Sequence, residues 1–232
     1  MAKVIKSIIP ALIIFCVFLY GLIPINDFDF WWHLKTGEYI LENGQLPDID
    51  PFSYTAVSTD MDSPGRPQFI LKSYWLGQVV FALVVKYLGL KGFIAMRAIF
   101  FALISLTVLK VQGLQSAVSG PKSGVPELRT RGALYSQAGC ALLFSLAMLT
   151  TECLTDRPQM FSFLFAIFLV FLFERYRVCA SRAALYAIPL LMLLWAQIHA
   201  GYIVGIAYLL VYLMAIPFEE CLKEKRKILI PL

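Results

Sequence analysis

The chain has 232 residues, of which 59% are apolar and 15% charged, with a net charge of +5; ordinary soluble domains are roughly 45–50% apolar. That composition is too apolar for a water-soluble domain of this size, so lipid must be the solvent for much of it. It also excludes disorder, collagen and a small disulfide-stapled module. Five cysteines (Cys16, Cys140, Cys153, Cys179, Cys221) lie far apart with no C-x-x-C pair, and they read as small apolar helix residues. The net charge does not point to nucleic acid, because in a membrane chain the position of each Lys and Arg matters more than their sum.

A helix needs about 20 mostly apolar residues to cross a bilayer. The clear candidates are residues 7–25, 93–112, 133–152, 159–173, 184–198 and 202–218. A seventh run, residues 74–88, is shorter and carries Lys86 near its end. If it does not cross, the basic residues of the cytoplasmic side are Lys3, Lys6, Lys110, Lys122, Arg129, Arg131, Arg175, Arg177, Arg182, Lys223, Lys225, Arg226 and Lys227, 13 of 20. If it does cross, the basic loops move outside and the bias inverts. The sequence therefore predicts an all-α integral membrane protein of about six spans, a single membrane domain with both ends cytoplasmic. Residues 74–88 become an extracytoplasmic helix on, or dipping into, the membrane surface.

The first span opens with Met1-Ala-Lys-Val-Ile-Lys, but no small-x-small cleavage site follows, so an uncleaved signal anchor is expected. The long first loop, residues 26–91, carries eight acidic residues against three basic ones up to Lys72. Elaborated polar structure on one face only is more than a pure anchor or a symmetric channel needs.

Three constellations could carry chemistry. The loop opens with Asn26-Asp-Phe-Asp-Phe-Trp-Trp-His, and helical spacing of Phe30, Leu34 and Leu41 before Asn43-Gly44 predicts an interfacial helix over 30–42. Asp29 and His33 are four apart and share a face. Asp27 and Asp29 can hold a divalent cation, or one of them can take a proton from an acceptor hydroxyl. Asp29 reads equally well as the helix N-cap, and Trp31 and Trp32 as interface anchors. Asp50-Pro51 reads as an Asx-type turn. In the second constellation, Thr155-Asp-Arg-Pro-Gln-Met, Asp156 caps the fourth span, with Pro158 in its first turn. Arg157 suits a phosphate through its planar fork, or snorkels to lipid headgroups. The third, Trp195-Ala-Gln-Ile-His-Ala-Gly, brings Gln197 and His199 close to hydrocarbon, where polar groups are costly and often functional. Gly201 and Gly205 permit a close neighbour. On the six-span topology all three constellations lie on one side.

These features resemble the GT-C superfamily of integral-membrane glycosyltransferases, which includes protein O-mannosyltransferases and bacterial lipid A sugar transferases. The resemblance rests on Asp27-Phe-Asp29 after the first span, the Gly37…Gly44…Pro47 run, Trp75-Leu-Gly-Gln-Val-Val-Phe and Asp156. More narrowly, Trp32-His-Leu-x-Thr-Gly, Asp50-Pro-Phe-Ser-Tyr-Thr, Arg157-Pro-Gln-Met-Phe-Ser and Trp195-x-x-x-His-Ala-Gly are similar to a group of bacterial membrane proteins of this type. The resemblance implies residence in the bacterial inner membrane and a sugar donor carried on a polyprenyl phosphate. It further implies transfer at the extracytoplasmic face, with Asp27 or Asp29 as base or metal ligand. Trp32, His33, Arg157 and His199 would then bind substrate, and Asp27, Asp29 and Asp156 would hold a divalent cation, Mg or Mn. Such enzymes commonly have about eleven to thirteen spans, and the usual acidic pair is often Asp-Glu. Because Lys227-Ile-Leu-Ile-Pro-Leu reads like the opening of another span, a chain truncated at its C-terminus is expected. The competing reading is a non-catalytic membrane protein, a transporter component or an assembly partner of envelope polysaccharide machinery. Polar groups collected at one rim, with few charges mid-membrane, favour the transferase.

Overall fold

The computed structural model describes residues 2–47, 52, 72–118 and 156–214, and all regular structure among them is helical. The helices are α1 (Ala2–Tyr20), α2 (Asp29–Asn43), α3 (Trp75–Val118), α4 (Gln159–Cys179), α5 (Arg182–Ile198) and α6 (Tyr202–Met214). Their limits follow local chemistry. Helix α2 stops where Gly44 turns left-handed at φ 66°, its N–H returning to the Ile40 carbonyl, a conformation glycine adopts without a Cβ penalty. Helix α4 stops at Ala180 in the same way, through the Tyr176 carbonyl.

Inside α3, Gly89 is non-helical at φ 69° and ψ −177°. Residues 75–88 and 90–118 are therefore two helices joined at a glycine kink, which is where the apolar runs 74–88 and 93–112 part in the sequence. The first helix is displaced toward the N-terminus from its expected run, 7–25: α1 covers Ala2–Tyr20, and residues 21–23 turn. The fourth is longer, reaching Cys179. The candidate span 133–152 and the Asp50-Pro51 turn lie outside the described residues.

Helix α3 is the centre of the assembly, packing on α1, α2, α4 and α5, while α4 also packs on α5. A Cβ on Gly37 would stand 2.0 Å from the Gln78 carbonyl oxygen, so α2 crosses α3 in backbone contact that no larger residue permits. Phe30 of α2 is fully buried beside Phe93, ring centroids 4.5 Å apart, and Phe81 meets Phe93 edge-on at 4.7 Å. The aromatic layer continues through Phe161, Phe165 and Trp195. Such offset and edge contacts add about 0.5–1.5 kcal/mol per pair beyond area burial.

Val17 of α1 clusters with Phe101 and Ile104 of α3, while Gly21 lies against Ala98. Helix α1 therefore runs antiparallel to the second part of α3. Gln115 donates to Glu174 at 3.3 Å, and the Phe173 ring stands 4.3 Å from Tyr212 of α6. One end of the bundle thus gathers residues 21–33, 97, 156–162 and 195–201, and the other gathers 110–115, 174–182 and 208–214.

The outer surface is apolar. Leu12, Phe15 and Leu19 of α1, Leu190, Leu193 and Leu194 of α5, and Val204, Leu210 and Val211 of α6 are all exposed. Among the described residues one helix, Trp75–Gln115, is long and apolar enough to cross a membrane.

Arg97 was not singled out by the sequence. It is completely buried, with Nε donating to the Gly21 carbonyl at 3.1 Å, Nη2 donating to the Ile23 carbonyl, and Nη1 paired with Asp156. The backbone N–H of Asn26 donates to the other Asp156 oxygen at 3.2 Å. One guanidinium thereby joins the end of α1, the middle of the bundle and the start of α4. Breaking one partner of a buried ion pair typically costs about 3–5 kcal/mol, because the other charge is left uncompensated. Arg97→Met should therefore lower the midpoint of thermal unfolding in detergent far more than the double substitution Arg97→Met/Asp156→Leu, as followed by helical circular dichroism. Equal losses would remove the pair from its place in the fold.

Candidate functional site

At the end of the bundle opposite Arg175, Arg177 and Arg182, the loop after α1 brings Asp27 and Asp29 beside Arg157, which precedes α4. Arg157 Nε donates to Asp27 Oδ2 at 2.7 Å and Nη2 to Asp27 Oδ1 at 3.2 Å, while the same Nη2 lies 2.9 Å from Asp29 Oδ2. This planar fork holds two carboxylates at once. The residues expected from sequence to meet on one face do meet here, although Asp27 and Arg157 are 130 positions apart.

The two carboxylates differ. Asp27 is only 12% exposed and also accepts the Asp29 backbone N–H at 3.0 Å, whereas Asp29 is 55% exposed. Burial pushes the Asp27 carboxyl up, but the Arg157 guanidinium and the Asp29 N–H outweigh it and hold the group below its ordinary value. Asp29 is therefore not the N-cap of α2. It is the first helical residue, Phe28 stands at the cap position without a side-chain bond, and Asp27 supplies the oxygen. An acid in the first turn still suits the positive end of the helix dipole.

Asp156 likewise does not cap α4. Pro158 occupies the cap position, ahead of the first turn, and the Asp156 carboxylate turns inward to Arg97. Burial raises Asp156, and Arg97 with the backbone N–H groups of Asn26 and Asp27 pulls against it. The three carboxylates expected to hold a divalent cation, Asp27, Asp29 and Asp156, are divided between Arg157 and Arg97. Two guanidiniums already hold the three carboxylates, and Asp156 faces a different partner from the other two. Among the described residues no three His, Cys, Asp or Glu groups gather in a metal-binding cluster.

Beside the acidic pair lies a layer of rings and amides. His33 is buried in α2, its Nδ1 3.1 Å from Gln78 Nε2; the described residues leave the buried Gln78 Oε1 without a partner. Tyr74 stacks on His199 at 4.7 Å with the planes 8° apart, and meets His33 edge-on at 6.0 Å. Nδ1 of His199 accepts the Gly201 N–H at 2.9 Å and lies 2.7 Å from Ser162 Oγ, which accepts Trp195 Nε1–H at 2.7 Å. A backbone N–H can only donate, so Nδ1 is unprotonated and the Nε2–H tautomer is fixed. Gly201 and Gly205 permit these contacts: a Cβ on Gly201 would fall 2.5 Å from Ser162 Oγ, and one on Gly205 2.8 Å from the Trp195 ring. Trp75 Nε1 donates to Gln197 Oε1 at 3.1 Å. Trp32 is half-buried against His33, and Trp31 is exposed.

Sequence reasoning reached His33, Trp32, Gln197 and His199 but missed Ser162, Tyr74, Trp195 and Gln78 as their partners. Of these, only the polar Gln78 inside an apolar helix carried a signal. A scan against family models finds no match for the chain, and comparisons with curated proteins and with solved structures find none either.

The layer has a pH signature. Burial first, then the charge of Arg157, holds His33 down to about 3, and burial holds His199 down to about 4, both from an ordinary value of 6.5. The folded form thus resists protons that the unfolded chain takes up. Stability should be full above about pH 6.5, fall as the pH drops toward 4, and level off once His199 and then His33 protonate in the fold. The slope is at most about 1.4 kcal/mol per pH unit for each histidine. The pH dependence of thermal unfolding should flatten in His199→Gln. An unchanged slope in that variant would remove His199 from the titration.

Proposed function

We propose that this chain is a membrane-embedded glycosyltransferase. It moves a sugar from a polyprenyl-phosphate donor to an acceptor on the extracytoplasmic side of a bacterial inner membrane. The observation that carries the reading is the Asp27–Arg157–Asp29 cluster, a paired base and guanidinium at one end of a bundle whose outer surface is apolar. Support for six spans with a cytoplasmic N-terminus comes from the separation of ends. Lys110, Arg175, Arg177 and Arg182 lie opposite Asp27, Asp29, Arg157 and His199, as the positive-inside rule requires. Exposed Leu, Ile and Val on α1, α5 and α6 suit acyl chains better than water.

The chemistry follows from the two carboxylates. Asp29 is exposed and, among the described residues, pairs with Arg157 alone, so it is the group placed to take the proton of an acceptor hydroxyl. The hydroxyl oxygen then attacks the anomeric carbon, the bond from that carbon to the phosphate oxygen breaks, and the lipid phosphate leaves with the electron pair. Arg157, whose fork matches phosphate oxygens, stabilises that leaving group. Asp27 is a positioning residue, holding Arg157 through two bonds while accepting the first N–H of α2. Trp32 and His199 line the adjoining surface where a sugar ring and its hydroxyls would lie, with His33 buried next to Trp32. The transporter reading is weaker, because the completely buried charges among the described residues, Arg97 and Asp156, are consumed by each other and by backbone groups.

Removing a general base typically lowers the rate about 10²–10⁴-fold. Asp29→Asn should lose transfer to that extent with unfolding unchanged, since Asn keeps the size and the helix start. Asp27→Asn should lower stability as well, because it loosens Arg157. Arg157→Ala should weaken donor binding. The assay is incorporation of labelled sugar from a polyprenyl-phosphate donor in membranes containing the protein. Near-normal transfer by Asp29→Asn would overturn the assignment.

A further inference from the structure

We propose that Arg157 is the built-in cation of the Asp27–Asp29 pair, a guanidinium standing where the paired carboxylates would otherwise recruit a divalent metal ion. The inference concerns the electrostatics of the pair and does not depend on sugar transfer.

Three observations carry it. Both oxygens of Asp27 are engaged by Arg157, Oδ2 at 2.7 Å and Oδ1 at 3.2 Å, and Oδ1 also accepts the Asp29 N–H. Asp29 Oδ2 lies 2.9 Å from the same Nη2, so one nitrogen sits between the carboxylates, within hydrogen-bonding reach of an oxygen of each. The third acid of the region, Asp156, is withdrawn into the ion pair with Arg97. A cation entering between Asp27 and Asp29 would have to displace a charge of the same sign. Hard divalent cations need several oxygen ligands, and here the two carboxylates share theirs with the guanidinium.

The consequence is a latent site. With the guanidinium removed, two like charges close together lack compensation, and a divalent cation becomes their natural counter-ion. The test reads metal binding directly, by electron paramagnetic resonance of Mn²⁺ added to the purified chain in detergent. The parent chain should show no saturable binding at millimolar Mn²⁺. Arg157→Gln should gain affinity by about tenfold or more, from the loss of one positive charge a few ångström away. Adding Asp29→Asn to that variant should abolish the gain. Arg157→Lys keeps the charge and should bind no Mn²⁺, and it remains informative if Arg157→Gln fails to fold. Saturable Mn²⁺ binding by the parent chain or by Arg157→Lys would overturn the proposal. So would a folded Arg157→Gln, checked by gel filtration and circular dichroism, that binds no metal. Loss of sugar transfer would bear on the functional reading alone, since none of these outcomes is measured through activity.

Discussion

The arrangement depends on a charge taken completely out of water. Desolvating a guanidinium costs several kcal/mol unless its donors are satisfied, and Arg97 satisfies its donors with groups from two other segments of the chain. The Gly21 and Ile23 carbonyls are left without helical partners by the end of α1, so they are natural acceptors. Asp156 supplies the countercharge, and the Asn26 N–H closes its other side. Fixing these groups leaves the chain from Gly21 to Asp29 little freedom in how it leaves α1. It also places Arg157, the next residue after Asp156, within reach of Asp27. The clamp below and the exposed cluster above are therefore one construction, joined through adjacent residues on two strands of loop.

Charge allocation then decides what the exposed cluster can do. Among the described residues three carboxylates and two arginines meet here, and each acid has a different fate. Asp156 is sealed, Asp27 is committed to holding Arg157 and the start of α2, and Asp29 alone is substantially exposed. The histidines complete the picture by staying neutral. His199 presents an accepting Nδ1 to Gly201 and Ser162, and His33 is pressed down by burial and by Arg157. At neutral pH the charged Asp–Arg cluster thus stands beside an uncharged layer of rings.

Much of this was legible in the residue order. Apolar runs located α1, α4, α5 and α6, with the ends of α1 and the C-terminal end of α4 displaced by more than a turn, Asn43-Gly44 marked the end of α2, and the division at residues 88–93 anticipated the Gly89 kink. Asp27, Asp29, Arg157 and His199 stood out because polar groups next to hydrocarbon need a reason. What stayed hidden depended on contacts across the chain. Arg97 looked like one arginine in an apolar run, and only its proximity to Gly21 and Asp156 makes it a clamp. Capping preference favoured Asp29 and Asp156, but each lost that position to tertiary ion pairing, which offers a charged partner where a cap offers one backbone N–H. Ser162 and Tyr74 are ordinary residues in sequence, and their importance comes from standing against His199.

The account stands on the Asp–Arg end and the basic end of the bundle lying on opposite sides of a bilayer. The most direct measurement uses single cysteines at Trp31, exposed on α2, and at Ser181, between α4 and α5, with the native cysteines replaced. Sealed right-side-out membrane vesicles are treated with an impermeant thiol reagent. The account predicts that the residue-31 cysteine reacts at once and the residue-181 cysteine only after the vesicles are permeabilised. Immediate reaction at both positions, or at residue 181 alone, would contradict it.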